Sequence, residues 1–349
     1  MESLTSEQQG AIDFIKANII KKPHLCIGGY AGTGKSTCLK YLKNIFPNFA
    51  VCAFTGKAAN VLRKKGIAAS TIHSLIYKVE KDLDGNPYFR LKTQYSLGNQ
   101  IQGFFVDEAS MISKDLLDDL LSFNLPIVFI GDHGQLEPVG SACNLMKNPD
   151  YKLETIHRNA NSIAKFASFL REGNSAINFP PCDRVKLVAK KNIALEKVLY
   201  FDQIICAFNK TRLNVNKQIR NLYNYADEPQ ESDKIICLKN NKDHHVFNGM
   251  MGHIVKINKK MLTFKTDDNQ QITLPIDKKQ FNQEKLLESA SHNNKLCYFD
   301  YGYCITCHKA QGDEWDNILV IEEKSSMWDH NRWAYTAASR AKELLFWAL

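Results

Sequence analysis

Apolar positions along the chain follow two rhythms. Ile12, Ile15 and Ile19 recur at helical spacing, which predicts a helix over about residues 6–21, with Ser6 and Gln9 read as its capping box. Short, nearly unbroken apolar runs at His24–Gly28, Asn48–Phe54, Gly103–Asp107 and Pro126–Asp132 predict buried strands. Helices are expected at Lys35–Phe46, Lys57–Lys65 and Thr71–Tyr77, and an amphipathic one between the last two strands. Strands followed by helices at this spacing imply a parallel sheet covered on both faces.

The rhythm lapses between Lys78 and Gln102, where polar, aromatic-dotted sequence surrounds Asp84-Gly85-Asn86-Pro87 and suggests an inserted hairpin or loop. After Thr155 come a helix near Ser162–Leu170 and a Pro-Pro pair at 180–181, and then the α/β pattern resumes with Gln203–Phe208 and Lys210–Leu222. From Lys234 to about Gln283 short strands alternate with turn signals such as Asn248-Gly249, the mark of a small β-rich unit. Strands at Tyr303–Ile305 and Asn317–Ile321 and a helix near Arg332–Arg340 close the chain.

Bulk composition narrows the picture only a little. A chain of 349 residues accommodates two domains, and 44% hydrophobic with 23% charged residues is ordinary for a globular protein. The formal charge of +8 suits a phosphate-rich partner, but many unrelated enzymes carry as much. No run reaches the roughly 18 apolar residues of a membrane span. The polar start MESLTSEQQ fits neither a secretory signal nor a transit peptide. Ten cysteines, mostly inside apolar runs such as AVCAF and KIICLK, read as reduced and buried, so a cytoplasm is the expected compartment (a host cytoplasm if the chain is phage-encoded). Cys304-Ile-Thr-Cys307-His308 matches the haem-attachment pattern, yet haem attachment calls for export, and the simpler reading is a strand end before a functional loop. The residues show no further paired ligands for structural zinc.

The chemistry begins at Gly29-Tyr-Ala-Gly-Thr-Gly34-Lys35-Ser36, which fits G-x-x-x-x-G-K-[ST] between an apolar strand and a helix. Its glycines let backbone N–H groups turn inward around phosphate oxygens, and the helix start adds its positive end. Lys35 is expected on the β/γ-phosphates and Ser36 on Mg²⁺. A second element is Phe104-Phe-Val-Asp107-Glu108. An acidic pair is ordinarily a solvated face, but behind a buried strand Asp107 is placed to hold Mg²⁺ and Glu108 to polarise an attacking water. The glutamate favours hydrolysis over simple nucleotide binding.

Further blocks follow in a fixed order across nearly the whole chain. They are Leu4-Thr5-x-x-Gln8, Ala53-Phe-Thr55-Gly56-Lys57-Ala-Ala, Ser70-Thr71-Ile-His73, Gly131-Asp132-x-x-Gln135-Leu-x-Pro138, Glu154-Thr-Ile-His-Arg158, Asn248-Gly-Met-Met-Gly252, Tyr303-Cys-Ile-Thr306-Cys-His308-Lys309-Ala-Gln311-Gly312-Asp-Glu314 and Tyr335-Thr-Ala-Ala-Ser339-Arg340. In this order they resemble the Q motif, motif Ia, the T-[IL]-H segment, motifs III and IV, the N-G-x-x-G entry into a small SH3-like insertion, and motifs V and VI of superfamily 1 DNA helicases of the RecD/Dda type, which move 5′→3′.

The resemblance implies an α/β fold of two RecA-like parallel-sheet P-loop domains, with a short hairpin inserted in the first and a small SH3-like β insertion in the second. Residues 1–155 would form the first domain, with its insertion at about 79–101, and residues 156–349 the second, with its insertion at about 246–299. ATP hydrolysis is then expected in the cleft between the domains, with Lys35, Asp107, Glu108, Gln135, Arg158 and Arg340 catalytic. Gln8, Gly29, Gly32, Thr33, Gly34, Lys35, Ser36, Thr37, Gly312 and Glu314 would bind the nucleotide, and Ser36 and Asp107 the metal. Thr55, Lys57, Thr71, His73, Thr306 and His308 are the DNA-facing candidates, because hydroxyl and basic groups at loop ends grip phosphates without reading sequence. ATP and Mg²⁺ are the implied cofactors. Single-stranded DNA and single/double-strand junctions are the implied partners, with single-strand-binding, replication or recombination proteins as further ones; no membrane contact is expected, and a monomer is. Other readings are a single-strand translocase that displaces proteins, a nucleotide-gated subunit of a recombination complex, and an RNA helicase.

Two departures from the family pattern matter. Phe54 stands where relatives usually carry proline, and Lys57 where arginine is common, which keeps the charge but loses the bidentate fork. The 79–101 insertion, expected to hold the strand-separating pin with Tyr88 and Phe89 near its tip, is short. Trp328 and Trp333 read as core residues rather than base-stacking ones.

Overall fold

The apolar runs become the inner strands of parallel sheets, in a computed structural model that describes residues 4–81, 87–137, 144–156, 162–193, 195–241, 243–244, 246–267, 269–292 and 295–349. The chain divides into two compact units: Met1–Pro180 with Gln311–Glu314 and Trp328–Ser339, and Pro181–Ala310 with Trp315–Met327 and Arg340–Leu349.

The first unit runs α1 (Ser6–Asn18), β1 (His24–Gly29), α2 (Lys35–Ile45), β2 (Phe49–Ala53), α3 (Gly56–Lys64), β3 (Ala69–Thr71), α4 (Ile72–Ile76), β4 (Tyr77–Lys81), β5 (Pro87–Leu91), α5 (Gln94–Leu97), β6 (Gly103–Asp107), α6 (Lys114–Leu121), β7 (Ile127–Gly131), β8 (Tyr151–Leu153) and α7 (Ser162–Arg171). Six strands form one sheet in the order β3-β2-β6-β7-β1-β8, and every pairing is parallel. Successive side chains alternate between its faces. Leu25, Ile27, Val51, Ala53, Phe105, Val128 and Ile130 pack on one side with apolar residues of α1, α2 and α3. Cys26, Cys52, Phe104, Val106, Ile127 and Phe129 pack on the other with α4 and α6. Burial on both faces is why these strands read as continuous apolar runs rather than alternating ones.

The α1 cap departs from expectation by one residue. Thr5, not Ser6, is the N-cap: its hydroxyl accepts from the Gln8 N–H at 3.3 Å, and the Gln8 side-chain oxygen accepts from the Thr5 N–H at 3.1 Å. Both registers fit the S/T-x-x-E/Q pattern. What separates them is that the Thr5 register turns Gln8 inward, to 4% exposure, where its amide also reaches the loop after β1.

The second unit contains β9 (Val185–Val188), β10 (Gln203–Cys206), α8 (Asn209–Leu222), β11 (Lys234–Cys237), β12 (Met251–Ile257), β13 (Met261–Thr266), β14 (Gln271–Pro275), α9 (Ser289–His292), β15 (Phe299–Tyr301), β16 (Cys304–Thr306) and β17 (Trp315–Ile321). Then α10 (His330–Ala338) belongs to the first unit, before the chain returns as β18 (Ala341–Ala348). A second parallel sheet has the order β16-β10-β17-β18-β9, so the fold is α/β with two parallel sheets of the kind expected. An antiparallel sheet, β14-β13-β12-β11-β15, forms the β-rich part, and β4 and β5 pair as a hairpin. The Asp84–Asn86 turn of that hairpin lies outside the described residues, as do the side chains of Tyr88 and Phe89. Trp333 is 1% exposed, a core residue as its sequence context suggested.

Two buried ion pairs fasten α8 to the antiparallel sheet. Arg212 reaches Asp300, and Arg220 holds Asp233 through Nε at 2.9 Å and Nη2 at 3.1 Å. Asp233 also accepts from the Tyr303 hydroxyl at 3.0 Å and the Gln230 N–H at 2.9 Å, so its charge is fully hydrogen-bonded. Removing one partner strands the other charge. Arg220→Ala is expected to lower stability by about 3–5 kcal/mol, read from urea unfolding, far more than loss of an exposed pair such as Lys114–Asp118.

Candidate nucleotide and nucleic-acid site

Chemistry-bearing residues gather at the carboxyl ends of the first unit's strands, where open parallel sheets bind ligands. The phosphate loop follows β1, Thr55 follows β2, Thr71 ends β3, Asp107 ends β6, and Asp132 follows β7. Gly32 and Gly34 adopt φ of 82° and 83°, a left-handed backbone that glycine enters without Cβ strain, and the loop runs directly into α2. Thr33 is buried at 1% exposure, and its hydroxyl donates to the Tyr30 carbonyl at 2.9 Å. Gln8 donates to the Thr33 carbonyl at 3.1 Å. The Lys35 ammonium lies along the loop, donating to the carbonyls of Gly29 at 2.7 Å and Tyr30 at 3.0 Å. Thr37 sits in the first turn of the same helix.

Ser36 and Asp107 offer a hydroxyl and a carboxylate, the hard oxygen donors that Mg²⁺ prefers. Burial pushes the Asp107 carboxyl above its usual range, and the charges of Lys35 and Lys65 draw it back. The Lys65 ammonium donates to the Ser36 hydroxyl at 3.1 Å, so a cation already lies against this donor set. The residues fit a divalent metal. Glu108, next along, has φ 55°, an uncommon left-handed conformation for a non-glycine residue and a local strain of the kind found at functional sites.

The loop after β7 carries Gln135, 5% exposed, whose Nε2 donates to an Asp132 carboxylate oxygen at 3.2 Å. Its Oε1 is buried with no hydrogen-bond partner among the described residues. Asp132 also accepts from the Gly134 N–H at 2.9 Å and the Tyr335 hydroxyl at 2.6 Å. Around the phosphate loop sequence reasoning missed an aromatic cluster. The Tyr30 ring lies 4.1 Å from that of His133 and 6.0 Å from that of Tyr335, and the Arg171 guanidinium sits 3.6 Å over it. Burial raises the Tyr30 phenol and lowers the His133 imidazole pKa. Gly134 leaves room for this stack, because a Cβ there would meet the Tyr30 ring at 2.9 Å. The only signal for the cluster was Tyr30 itself, in a loop position where any residue is allowed.

The nucleic-acid candidates separate between the units. In the first, Thr55 and Thr71 both act as N-caps, accepting from Ala58 and Ser74 N–H groups at 3.1 Å each. The His73 ring lies between Phe54 at 6.5 Å and Tyr77 at 5.7 Å, so Phe54 joins an aromatic row. Gly312 and Glu314 also belong to this unit; a Cβ on Gly312 would lie 3.3 Å from the Thr55 methyl, and Glu314 is exposed. In the second unit are Thr306, which ends β16, His308, whose pKa burial lowers, and Arg340, 4% exposed. Arg340 lies near the buried Cys307 thiol and accepts the Trp315 N–H through its carbonyl at 3.0 Å. Arg158 and the Lys57 side chain lie outside the described residues. Among the described residues all nine cysteines are free, and no group of three or more His, Cys, Asp or Glu is arranged to hold a metal. No described helix is long and apolar enough to cross a membrane.

A strand, a glycine loop and a helix around Lys35, with an acid at the end of a parallel strand two places along the same sheet, define a P-loop nucleotide-binding protein. Residues 3–190 match the family described as an AAA domain, and residues 301–347 match the UvrD-like helicase C-terminal domain. The first match covers more than half of the sequence, and the chain belongs to that AAA-domain family. Both matches agree with the resemblance to RecD/Dda-type superfamily 1 helicases carried by the motifs. Similar proteins include the ATP-dependent RecD2 DNA helicase of Deinococcus radiodurans, 26% identical over 99% of this chain and 49% of that protein. The ATP-dependent DNA helicase dda of Enterobacteria phage T4 is 34% identical over 40% of this chain and 34% of its own length. The chain thus spans about half the length, or less, of these curated relatives. In fold it is similar to Bacteroides Pif1 bound to ssDNA, with a TM-score of 0.61, 17% identity, and coverage of 100% of this chain and 93% of that one.

The loop geometry yields a direct test. Gly34→Ala forces a Cβ into a left-handed backbone, at a cost of about 1–2 kcal/mol. Titration with a fluorescent nucleotide should show affinity falling about tenfold, while the melting temperature of the chain changes by only a few degrees.

Proposed function

We propose that this chain is an ATP-dependent DNA helicase that translocates 5′→3′ on single-stranded DNA. The observation that carries the reading is the convergence, at the carboxyl ends of one sheet's strands, of the phosphate loop, Asp107-Glu108 and Gln135. A binding module that only senses nucleotide has no need of a water-polarising glutamate and a buried glutamine beside the phosphate loop.

In this reading the loop amides and Lys35 bind the phosphates of ATP, with Gln8, Thr37, Gly312 and Glu314 completing the nucleotide contacts. Ser36 and Asp107 would hold Mg²⁺, which supplies neutralisation of charge on the β- and γ-phosphates. Glu108 orients and deprotonates the attacking water, and Gln135 positions that water against the γ-phosphate. Arg158 and Arg340 act as arginine fingers that stabilise charge on the transferring phosphoryl group. Thr55, Lys57, Thr71, His73, Thr306 and His308 grip the DNA backbone. The aromatic row of Phe54, His73 and Tyr77 supports this assignment, since sequence-neutral strand binding uses rings as stacking platforms. We propose residues 1–155 and 156–349 as the sequence spans of the two RecA-like domains, although α7, Gln311–Glu314 and α10 pack with the first unit, with the strand-separating element at about 79–101 and the SH3-like insertion at about 246–299. Partners are single-stranded DNA, single/double-strand junctions and DNA-processing proteins; the chain works as a monomer in the cytoplasm of its cell or host.

Lys35→Ala should abolish ATP hydrolysis, and Glu108→Gln should bind ATP with near-normal affinity while turnover drops at least a hundredfold. Normal turnover in the second variant would remove Glu108 from the role of base. ATPase rates with and without single-stranded DNA or RNA, followed by strand displacement on 5′-tailed and 3′-tailed duplexes, test the whole reading. Stimulation by DNA and displacement on 5′ tails are expected. An ATPase indifferent to nucleic acid contradicts the motor, and a preference for 3′ tails contradicts the direction.

A further inference from the structure

The phosphate loop and the loop after β7 meet at a single phenol. Tyr335, on α10 and 1% exposed, accepts the Ala31 N–H of the phosphate loop at 2.7 Å and donates its own proton to Asp132 at 2.6 Å. The same Asp132 oxygen accepts Nε2 of Gln135 at 3.2 Å. The loop amide thus donates to the phenol, and the phenol and the Gln135 amide both donate to one Asp132 oxygen, where they compete for its charge. The frame around them is stiff. Thr336, the next residue on α10, accepts the Leu136 N–H at 2.9 Å and donates to the Arg332 carbonyl at 2.7 Å, while Gln311 donates to the Leu136 carbonyl at 2.9 Å. The residue after Gln135 is therefore held on both sides, and the Gln135 amide is free to respond only through Asp132.

We infer that Tyr335 is a positioning residue that reports occupancy of the phosphate loop to Gln135. Ala31 offers one N–H, and a phosphate oxygen that takes it competes with the phenol. Losing that donor weakens the phenol's grip on Asp132, because hydrogen bonds in such a chain polarise one another. Asp132, relieved of a competing donor, then holds the Gln135 Nε2 more firmly and fixes the side chain with its Oε1 open to accept from the attacking water. Nucleotide arrival and assembly of the hydrolytic group become one event. The inference rests on the ATP-driven reading above and adds to it a residue that touches neither water nor phosphate.

Tyr335→Phe in the full chain keeps the ring edge-on to Tyr30 and deletes both hydrogen bonds. The expected signature is a split. A fluorescent non-hydrolysable ATP analogue should bind about threefold to tenfold more tightly, because its competitor for the Ala31 N–H is gone, while kcat stays within about twofold, because Asp132 then serves Gln135 alone. In a Gln135→Ala background the same substitution should lower kcat by less than about twofold further, since the two residues act in series. Unchanged or weaker analogue binding, or a tenfold loss of kcat from Tyr335→Phe in either background, overturns the inference. Asp132→Asn, which preserves side-chain size, gives an independent reading if the phenylalanine variant fails to fold: tighter analogue binding with lower kcat supports the relay, and any other pattern overturns it. The binding measurement needs no turnover. If the unsubstituted chain shows no DNA-stimulated hydrolysis, the motor reading fails, and the analogue titration alone decides the role of Tyr335.

Discussion

A loop that grips phosphate with bare backbone N–H groups cannot hold itself in shape. The amides it gives to a ligand cannot also serve as its internal bonds, and its left-handed turns at Gly32 and Gly34 carry no side chains to pack. Apart from the bonds of Thr33 to the Tyr30 carbonyl, what fixes it comes from side chains around it. Gln8 holds the Thr33 carbonyl, Lys35 folds onto two more carbonyls, and Tyr335 takes the Ala31 amide. Much of the first unit is arranged to deliver those three side chains: α1 through its cap, α2 through its first residue, and α10 through its contact with the loop after β7.

This dependence explains why a cap register matters for function. The Thr5 register of the α1 capping box turns Gln8 toward the loop, whereas a box built on Ser6 and Gln9 would spend the inward position on a different residue. Gln9 instead reaches out to Asp13 at 3.1 Å on the exposed face. The local capping energies are alike, about 1 kcal/mol for either cap, so the tertiary bond from Gln8 decides between them.

The sheet and most helices were legible in the sequence because burial on both faces leaves uninterrupted apolar runs, and the phosphate loop because its glycine spacing has few other uses. The strands that escaped notice have physical excuses. β8 and β9 are three- and four-residue sheet edges, too short to show a period, and β18 begins after a two-residue turn, Ser339-Arg340, that has neither glycine nor proline to mark it. The candidate site was legible where a residue type is demanded by chemistry, as at Lys35, Asp107 and Glu108. It was opaque where a side chain supports others. Nothing local to Arg171 announces that it will cover the Tyr30 ring, and the bond between Tyr335 and Asp132 joins residues 203 apart. Thr55 and Thr71 show the converse: residues singled out for ligand contact also serve as helix caps, a role their types suit equally well.

The path of the chain around α10 has a consequence for modularity. After β17 the polypeptide leaves its sheet, contributes α10 to the first unit and returns as β18, parallel to and hydrogen-bonded with β17. A strand–helix–strand crossover is ordinarily the private property of one sheet; here its helix is on loan to the other unit. No single cut in the backbone can therefore yield two intact halves. A fragment ending at the Pro180–Pro181 pair would lack the helix that caps Ala31 and Asp132, and its complement would carry that helix with no surface to cover. Sequence exchange, truncation or permutation in this chain is constrained less by where the domains end than by this borrowed element, which makes the two units heritable only together.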